Sequence, residues 1–273
     1  MTQPNTTSSS SSPSTTTTTS TSVILVAIGG PTCSGKTTLA KHLDRIIPTS
    51  RLVFQDDFAP SSDQIPIHPE WKFQDWDDPE GAIDWERQRR AIKFVKSSKD
   101  GNLPVEHYSH DHLNEQVPVP IDPELQRAWT DKFNKLIEAR RAQGIETTVV
   151  IMEGFLMLYD LESIKQFDVK FFVREDYDTL KRRRHERHGY HTTEGALWRD
   201  PPDYWDKCVW PAYLKAHQPL FVNRDHERGE IDPTRIGGGP IEILEARELS
   251  MDQMVERSLE GIYKQLCTAL TIE

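Results

Sequence analysis

VILVAIGGPTCSGKT, residues 23–37, is the stretch of sequence that decides the fold of this chain. Its second part, from Gly30 to Thr37, fits the pattern G-x-x-x-x-G-K-[ST]. The apolar run that precedes the pattern is typical of a buried parallel strand. Apolar residues then recur at helical spacing until Pro48 ends the periodicity. A strand, a glycine-rich loop and a helix in this order predict a phosphate-binding loop.

The loop predicts how a nucleotide would be held. The backbone N–H groups and the positive end of the helix face an anion, Lys36 reaches the terminal phosphates, and the Thr37 hydroxyl ligates Mg²⁺. We therefore expect ATP and Mg²⁺ as the ligands of this part of the chain. The predicted nucleotide-binding residues of the loop are Gly30, Cys33, Ser34, Gly35, Lys36, Thr37 and Thr38.

Composition excludes several classes of protein. The net charge of −10 disfavours a nucleic-acid-binding protein, which would carry a basic face. No apolar stretch approaches the roughly 18 residues that a membrane span needs, so we expect no membrane contact. The three cysteines are scattered and odd in number. This pattern favours reduced thiols and a cytoplasmic location, with the nucleus as a possible alternative.

The chain divides into a tail and one domain. Residues 1–22 are predicted to be a disordered Ser/Thr-rich tail, because 6–22 are all Ser or Thr except for one proline. The domain is expected over 23–273, with an insertion at about 101–119 and a lid at about 176–202. The insertion contains three histidines, which are more typical of a surface loop than of a metal site because no cysteine accompanies them. These are His107, His110 and His112.

The apolar pattern predicts an α/β fold. Strands are expected at 51–55, 147–152, 169–173 and 241–244. With the first strand they would form a five-stranded, mostly parallel sheet flanked by helices. The predicted helices after the first one cover 79–96, 123–143, 176–188 and 252–270.

Acidic residues follow two of these strands. Asp56 and Asp57 follow the second strand, and Glu153 follows the third, where a metal-binding carboxylate is expected in a nucleotide-binding sheet. Asp is also common at helix N-termini and in turns, so an Asp pair alone would be weak evidence. Open α/β sheets bind ligands at the carboxyl ends of their strands. We therefore expect these carboxylates to meet Lys36 and Thr37 in one crevice.

A basic run, KRRR at 181–184 followed by Arg187, lies in the predicted lid. Such a run is often only a solvated helix face. Here glycines and a Pro-Pro pair follow it, as expected of a hinged segment. Arg183 and Arg187 are four residues apart and would share a helix face, from which they could stabilise charge on a transferring phosphoryl group.

Taken together, these motifs resemble the nicotinamide riboside kinases, which belong with the uridine kinases among the small P-loop kinases. The loop is shared by many families, whereas the combination of QDDF, EGFL, KRRR-x-x-R and VWP-x-YL is far more specific. The similar segments are spread over about residues 23–220. They are 29–43, 54–58, 153–156, 180–184 with Arg187, 201–205 and 208–215.

The resemblance implies roles for individual residues. Asp56 would be the catalytic base, Trp76 would lie beside the nicotinamide ring with Tyr190 on its other face, and Asp77 would bind the ribose hydroxyls. The implied catalytic residues are Lys36, Asp56, Arg183 and Arg187, of which the two arginines also bind ATP. The implied substrate-binding residues are Asp56, Asp57, Trp76, Asp77, Glu153, Arg184 and Tyr190. The implied metal ligands are Thr37, Asp56 and Glu153.

The resemblance implies that the chain transfers the γ-phosphoryl group of ATP to the 5′-hydroxyl of nicotinamide riboside, making nicotinamide mononucleotide for NAD synthesis. A uridine or cytidine kinase is an alternative with the same machinery and a different base pocket. A nucleotide sensor without catalysis is a second alternative, although it would not need the base, the metal carboxylate and the lid arginines together. We expect small-molecule partners only, and a monomer or homodimer.

Overall fold

The computed structural model describes residues 20–98, 101, 117–187, 189–192 and 194–268. Their strands are β1 (Ser20–Gly29), β2 (Ser50–Phe54), β3 (Ile145–Glu153), β4 (Val169–Arg174), β5 (Tyr190–His191), β6 (Leu197–Trp198) and β7 (Glu242–Glu245). Their α-helices are α1 (Lys36–Ile46), α2 (Trp85–Ser97), α3 (Pro123–Ala142), α4 (Leu161–Ile164), α5 (Tyr177–Glu186), α6 (Trp210–His217), α7 (Pro233–Ile236) and α8 (Met251–Thr268). None of these helices combines the length and apolar character needed to cross a membrane.

Five of the strands form one sheet in the order β2-β3-β1-β4-β7, and every neighbouring pair in it is parallel. The predicted five-stranded sheet is therefore confirmed. Strands β5 and β6 form a separate two-stranded antiparallel hairpin. The hairpin was not predicted, because two-residue strands carry too little periodicity to be recognised in a sequence.

Alternation along β1 builds two apolar layers. Leu25 and Ala27 point to one face of the sheet, where they pack with α2 and the segment that follows β3. Ile24, Val26 and Ile28 point to the other face, where they pack with α1, α3 and α8. Successive side chains of a strand face opposite sides of a sheet. A continuous apolar run is therefore the pattern expected of a central strand covered on both faces.

Several predicted boundaries were wrong. Strand β1 begins at Ser20, so residues 20–22 belong to the sheet and not to the tail. Helix α2 begins at Trp85, because the Asp84 side chain caps it and the segment from residue 79 forms turns. Helix α5 ends at Glu186, which leaves the next residue outside it. Residues 1–19 and most of the predicted insertion, including its three histidines, lie outside the described residues.

The register of the sheet aligns the ends of three strands. Glu153, the last residue of β3, is level with Phe54 at the end of β2 and with Ile28 near the end of β1. The phosphate-binding loop follows β1, and the aspartates follow β2 within a short 3-10 helix over Gln55–Phe58. Parallel pairing thus delivers all three segments to the same edge.

Glycine at position 30 is required by both backbone and space. Gly30 has φ of +135°, and a Cβ atom there would lie 2.3 Å from the carbonyl oxygen of Val173. We expect Gly30→Ala to destabilise the fold by several kcal/mol, because the clash adds to the roughly 1–2 kcal/mol cost of a left-handed conformation. Urea unfolding measures this loss.

Gly195→Ala is the matched control. Gly195 also has a positive φ, +78°, but a Cβ there would meet no atom within 4 Å. This variant should show only the conformational cost, about 1 kcal/mol. Equal losses in the two variants would show that the contact with Val173 does not constrain the loop.

Candidate active site

The phosphate-binding loop is held by residues with unusual backbone angles. Gly35, with φ of +97°, precedes the first residue of α1, and Cys33 has φ of +63°. These angles turn the chain sharply before the helix. The first N–H groups of a helix have no partner within it, so they are available to bind an anion at this end of α1. The predicted loop and helix are confirmed.

Lys36 is a buried cation in this loop. Only 6% of its surface is exposed, and its Nζ atom donates a hydrogen bond to the Pro31 carbonyl at 2.7 Å. Burial lowers the pKa of Lys36, and the nearby charges of Glu153 and Asp56 oppose that effect. A buried ammonium group is costly without negative charge beside it. The site is therefore suited to an anion such as phosphate.

Thr37 and Glu153 are joined directly. The Thr37 hydroxyl donates to Glu153 Oε1 at 2.8 Å. Burial raises the pKa of Glu153 to about 7, and the charge of Asp56 acts in the same direction, while Lys36 acts against both. A cation placed between these oxygens would favour the ionised form of the carboxyl group. The oxygen donors and their charge fit a hard divalent ion such as Mg²⁺.

Asp56 is presented on a rigid support. It is exposed, whereas its neighbour Gln55 is fully buried and accepts a hydrogen bond from the Leu156 N–H at 2.8 Å. Gln55 also donates to Gln88 at 2.9 Å. A Cβ atom at Gly154 would lie 2.2 Å from the Gln55 Cβ, so only glycine permits this approach. The amide of Gln55 therefore fixes the turn that carries Asp56.

The neighbouring Asp57 lies apart from the others. Its side chain is buried with 4% exposure, and its carbonyl accepts a hydrogen bond from Arg87. It does not line the cavity described below. Of the two aspartates predicted to bind substrate after β2, only Asp56 therefore lines the cavity.

The basic run is arranged differently from the prediction. Because α5 ends before Arg187, Arg183 and Arg187 do not share a helix face. Arg183 instead donates to the Cys33 carbonyl of the loop at 3.2 Å. The positive charge of Arg187 lowers the pKa of both Lys36 and Glu153, as expected of a group close to both. Both arginines therefore still lie beside the loop.

Arg184 is buried in a network of protein groups. It forms a bidentate pair with Asp200, at 2.7 and 3.0 Å, and its Nη2 atom lies 3.5 Å from Asp77. It also donates to the Thr32 hydroxyl at 3.2 Å. Burial raises the pKa of Asp77 to about 6 against the opposing effect of the Arg184 charge. Arg184 thus links the loop, the Asp77 segment and the chain after β6.

A cavity of about 100 Å³ opens beside these groups. Five of the residues predicted to bind substrate line it: Asp56, Trp76, Asp77, Arg184 and Tyr190. Sequence reasoning did not assign its other walls, although Thr32 lies in the phosphate-binding loop and Phe155 in the EGFL segment. These other walls are Thr32, Ala59, Ala82, Ile83, Phe155, His191, Thr192 and Trp198.

The hairpin supplies two aromatic walls of the cavity. Tyr190 pairs with Trp198 across β5 and β6, so their side chains lie on one face of the hairpin. The Tyr190 hydroxyl is 3.3 Å from both the Thr32 hydroxyl and the Cys33 thiol. The Trp198 ring packs on Trp76, with ring centroids 5.9 Å apart. The hairpin therefore contacts both the phosphate-binding loop and the aromatic end of the cavity.

Another group of side chains has the residue types and the spacing of a metal site. His68, Asp75 and Cys208 have potential ligand atoms within 4.8 Å of one another. The His68 Nδ1 atom already accepts the backbone N–H groups of Glu70 and Trp71, at 3.3 and 3.2 Å. Burial raises the pKa of the Cys208 thiol to about 12, which disfavours the thiolate that a metal needs. We assign no metal here.

Comparison with known proteins identifies the family of this chain. A model described as the phosphoribulokinase/uridine kinase family matches residues 25–217. The chain belongs to this family. The prediction of a small P-loop kinase of the uridine kinase type is therefore confirmed, and the family is one of phosphotransferases with an alcohol acceptor.

Three relatives within this kinase family carry the same name. A nicotinamide riboside kinase of Schizosaccharomyces pombe is 33% identical over 231 residues, which cover 82% of this chain and 92% of the relative. One of Saccharomyces cerevisiae is 32% identical, covering 78% and 85%. One of Eremothecium gossypii is 30% identical, covering 89% and 94%. The resemblance seen in the sequence is confirmed.

Neighbouring arginines of this kinase should differ sharply in their effect on stability. We expect Arg184→Met to lower the free energy of unfolding by about 3–5 kcal/mol, because it leaves two carboxylates without their buried partner. Arg182→Met is the control, since Arg182 is 64% exposed and, among the described residues, forms an ion pair only with the exposed Glu186. It should cost less than about 1 kcal/mol. Similar losses in urea unfolding would contradict the network.

Proposed function

We propose that this chain phosphorylates the 5′-hydroxyl of nicotinamide riboside with ATP, giving nicotinamide mononucleotide for NAD synthesis. The proposal rests on one observation above all. Asp56 lines an aromatic-walled cavity and is close enough to Lys36 for its charge to raise the pKa of that lysine. An acceptor in this cavity and a phosphate on the loop would therefore be brought together. The names of the three relatives support the same substrate.

The donor side of the site fits a nucleoside triphosphate. Positive φ angles at Gly30 and Gly35 turn the loop before α1, and Lys36 supplies a buried positive charge. The Ser34 hydroxyl is also buried and has no hydrogen-bond partner among the described residues. These groups would hold the phosphates of ATP. Magnesium, when bound, neutralises phosphate charge, and Thr37, Glu153 and Asp56 would hold it.

Asp56 would act on the acceptor. An exposed carboxylate at the wall of the cavity can accept the proton of the 5′-hydroxyl and orient its oxygen toward the loop. The hydrogen bonds of Gln55 limit the movement of the turn that carries it. Positioning of this kind is the main contribution a protein makes to phosphoryl transfer.

Arg183 and Arg187 would stabilise the charge that is transferred. Arg183 contacts the loop through the Cys33 carbonyl, and Arg187 is close enough to Lys36 to alter its pKa. Two guanidinium groups beside the phosphates can bind the oxygens of the phosphoryl group in the transition state of its transfer. Arg184 would act mainly by holding Asp77 in position.

The cavity favours a flat cationic base. Trp76 and Tyr190 would provide aromatic faces, and a pyridinium ring gains from such faces through cation–π attraction. Asp77 lies on the same wall, where it is paired with Arg184, and would bind ribose hydroxyls. A pyrimidine also needs polar groups at its carbonyl and amine edges, so uridine or cytidine remains the second candidate. A sensor without catalysis would have no need of Asp56 or the arginines.

We also propose that residues 176–202 act as a lid. The cavity of about 100 Å³ is smaller than the roughly 300–1,000 Å³ of common small-molecule sites, so the nucleoside would enter by displacement of the hairpin. At its tip, Glu194 accepts a hydrogen bond from Ser62 at 2.7 Å. The disorder of the tail, the oligomeric state (monomer or homodimer) and the location (cytoplasm or nucleus) stay predictions.

A substrate panel tests the proposed function. Purified protein with Mg-ATP should phosphorylate nicotinamide riboside with a higher kcat/KM than uridine or cytidine, as measured by mass spectrometry of the products. A tenfold preference for uridine would contradict the pocket assignment and leave the kinase assignment intact. Failure to phosphorylate any nucleoside in the panel would favour the sensor.

Replacing the proposed base tests the chemistry. We expect Asp56→Asn to lower kcat about 10²- to 10⁴-fold, the range for loss of a general base, while ATP binding measured by calorimetry persists. The control is Asp63→Asn, an exposed aspartate in the next turn of the chain. It should leave kcat unchanged. An Asp56→Asn enzyme with more than a tenth of the wild-type kcat would remove Asp56 from the mechanism.

A further inference from the structure

Thr192 lines the cavity from the turn of the hairpin, and its hydroxyl oxygen is buried. That oxygen has no hydrogen-bond partner among the described residues. The backbone of the same residue is fully engaged: its N–H donates to the Ala196 carbonyl at 2.8 Å, and its carbonyl accepts from Gly195 N–H at 2.8 Å. The side chain is therefore the only unsatisfied part of Thr192.

An unpartnered buried hydroxyl is unfavourable for the free protein. Folded proteins pair nearly all their buried polar groups, and each exception needs an explanation. Valine has nearly the same shape as threonine and would fill the same space without the penalty. Thr192 lines the substrate cavity, and its covered hydroxyl is explained if a substrate that displaces the hairpin supplies the missing partner.

Trp76, which also lines the cavity, has a second polar group without a hydrogen-bond partner among the residues that the structure describes, its indole N–H. That N–H lies in the plane of the ring, so it does not point at a base stacked on the face of the ring. The Thr192 hydroxyl has no such restriction, because it can rotate and can both donate and accept. It is the better candidate for a polar group carried by the base.

We propose that the Thr192 hydroxyl hydrogen-bonds to the carboxamide of the substrate base. The proposal rests on the proposed function, since it assigns one contact within the same site. A carboxamide has one acceptor oxygen and two donor hydrogens, and either can pair with a hydroxyl. The hairpin that brings Tyr190 to the ring thus also carries the Thr192 hydroxyl, which would bind the carboxamide of the ring.

The test uses two variants of Thr192. Thr192→Val removes the hydroxyl and keeps the shape, whereas Thr192→Ser keeps the hydroxyl. We expect Thr192→Val to raise the KM for nicotinamide riboside about 2- to 10-fold, as for loss of one neutral hydrogen bond. The KM for ATP should stay within twofold of wild type. Thr192→Ser should restore most of the affinity.

The melting temperature of the ligand-free protein gives an independent measurement. It should be unchanged or higher in Thr192→Val, because the hydroxyl has no partner to lose. A lower melting temperature together with a higher KM would overturn the proposal, since the hydroxyl would then stabilise the fold. Leu197→Ala, an exposed position on the same hairpin, controls for general disturbance of the hairpin and should change neither value.

A substrate lacking the carboxamide completes the test. N-ribosylpyridinium has the same charge and ribose as nicotinamide riboside. Its inhibition constant as a competitor of nicotinamide riboside should therefore be equal in wild type and Thr192→Val. An equal weakening of both compounds would assign the hydroxyl to the ribose and overturn the proposal, as would an unchanged KM for nicotinamide riboside. If wild-type protein phosphorylates uridine and not nicotinamide riboside, the proposed function fails instead.

Discussion

The interaction on which the site depends is that of one buried ammonium group with the carboxylates around it. Lys36 loses solvation at the start of α1, and burial lowers its pKa, while Glu153 loses solvation opposite it and has its pKa raised to about 7. The charge of neither group fully offsets the cost of desolvating the other. Such an arrangement costs stability in the free protein and is relieved by a phosphate and a divalent cation bound together. The buried charges that lower the stability of the free protein thus favour binding of phosphate and a metal ion.

Parallel pairing is what makes this arrangement possible. The register places Glu153 level with the ends of β1 and β2, so three segments distant in sequence meet at one edge. The apolar layers on both faces of the sheet hold these strands, and the Gln55 amide joins the turn after β2 to the segment after β3. The positions of the charged groups are therefore set by backbone geometry. The arginines and the hairpin then enclose them from outside the sheet.

The sequence predicted the sheet because its central strands contain continuous apolar runs, a pattern that depends little on tertiary context. It predicted Lys36, Thr37, Asp56 and Glu153 as neighbours because the carboxyl ends of parallel strands meet. It did not predict the hairpin, whose strands have two residues each. The end of α5 was also missed, because Arg187 is a good helix former in sequence, whereas its backbone in the structure is extended.

The remaining walls of the cavity were beyond sequence reasoning for a related physical reason. Thr192 and Trp198 reach the cavity through the hairpin, and the position of Trp198 depends on contacts with Trp76 and Asp200 that no spacing encodes. The Arg184 network is a similar case. The sequence marked Arg184 as a possible nucleoside contact, whereas the structure shows it first as the partner of two carboxylates. Long-range pairing of this kind is visible only in three dimensions.

The most direct test of the account is a crystal structure of the protein with a non-hydrolysable ATP analogue, Mg²⁺ and nicotinamide riboside. The account predicts phosphates on the loop beside Lys36, the metal beside Thr37 and Glu153, and the ribose 5′-oxygen within hydrogen-bond distance of Asp56. It also predicts the base between Trp76 and Tyr190. A ribose bound with its 5′-oxygen away from Asp56, or a base outside the aromatic cavity, would contradict it.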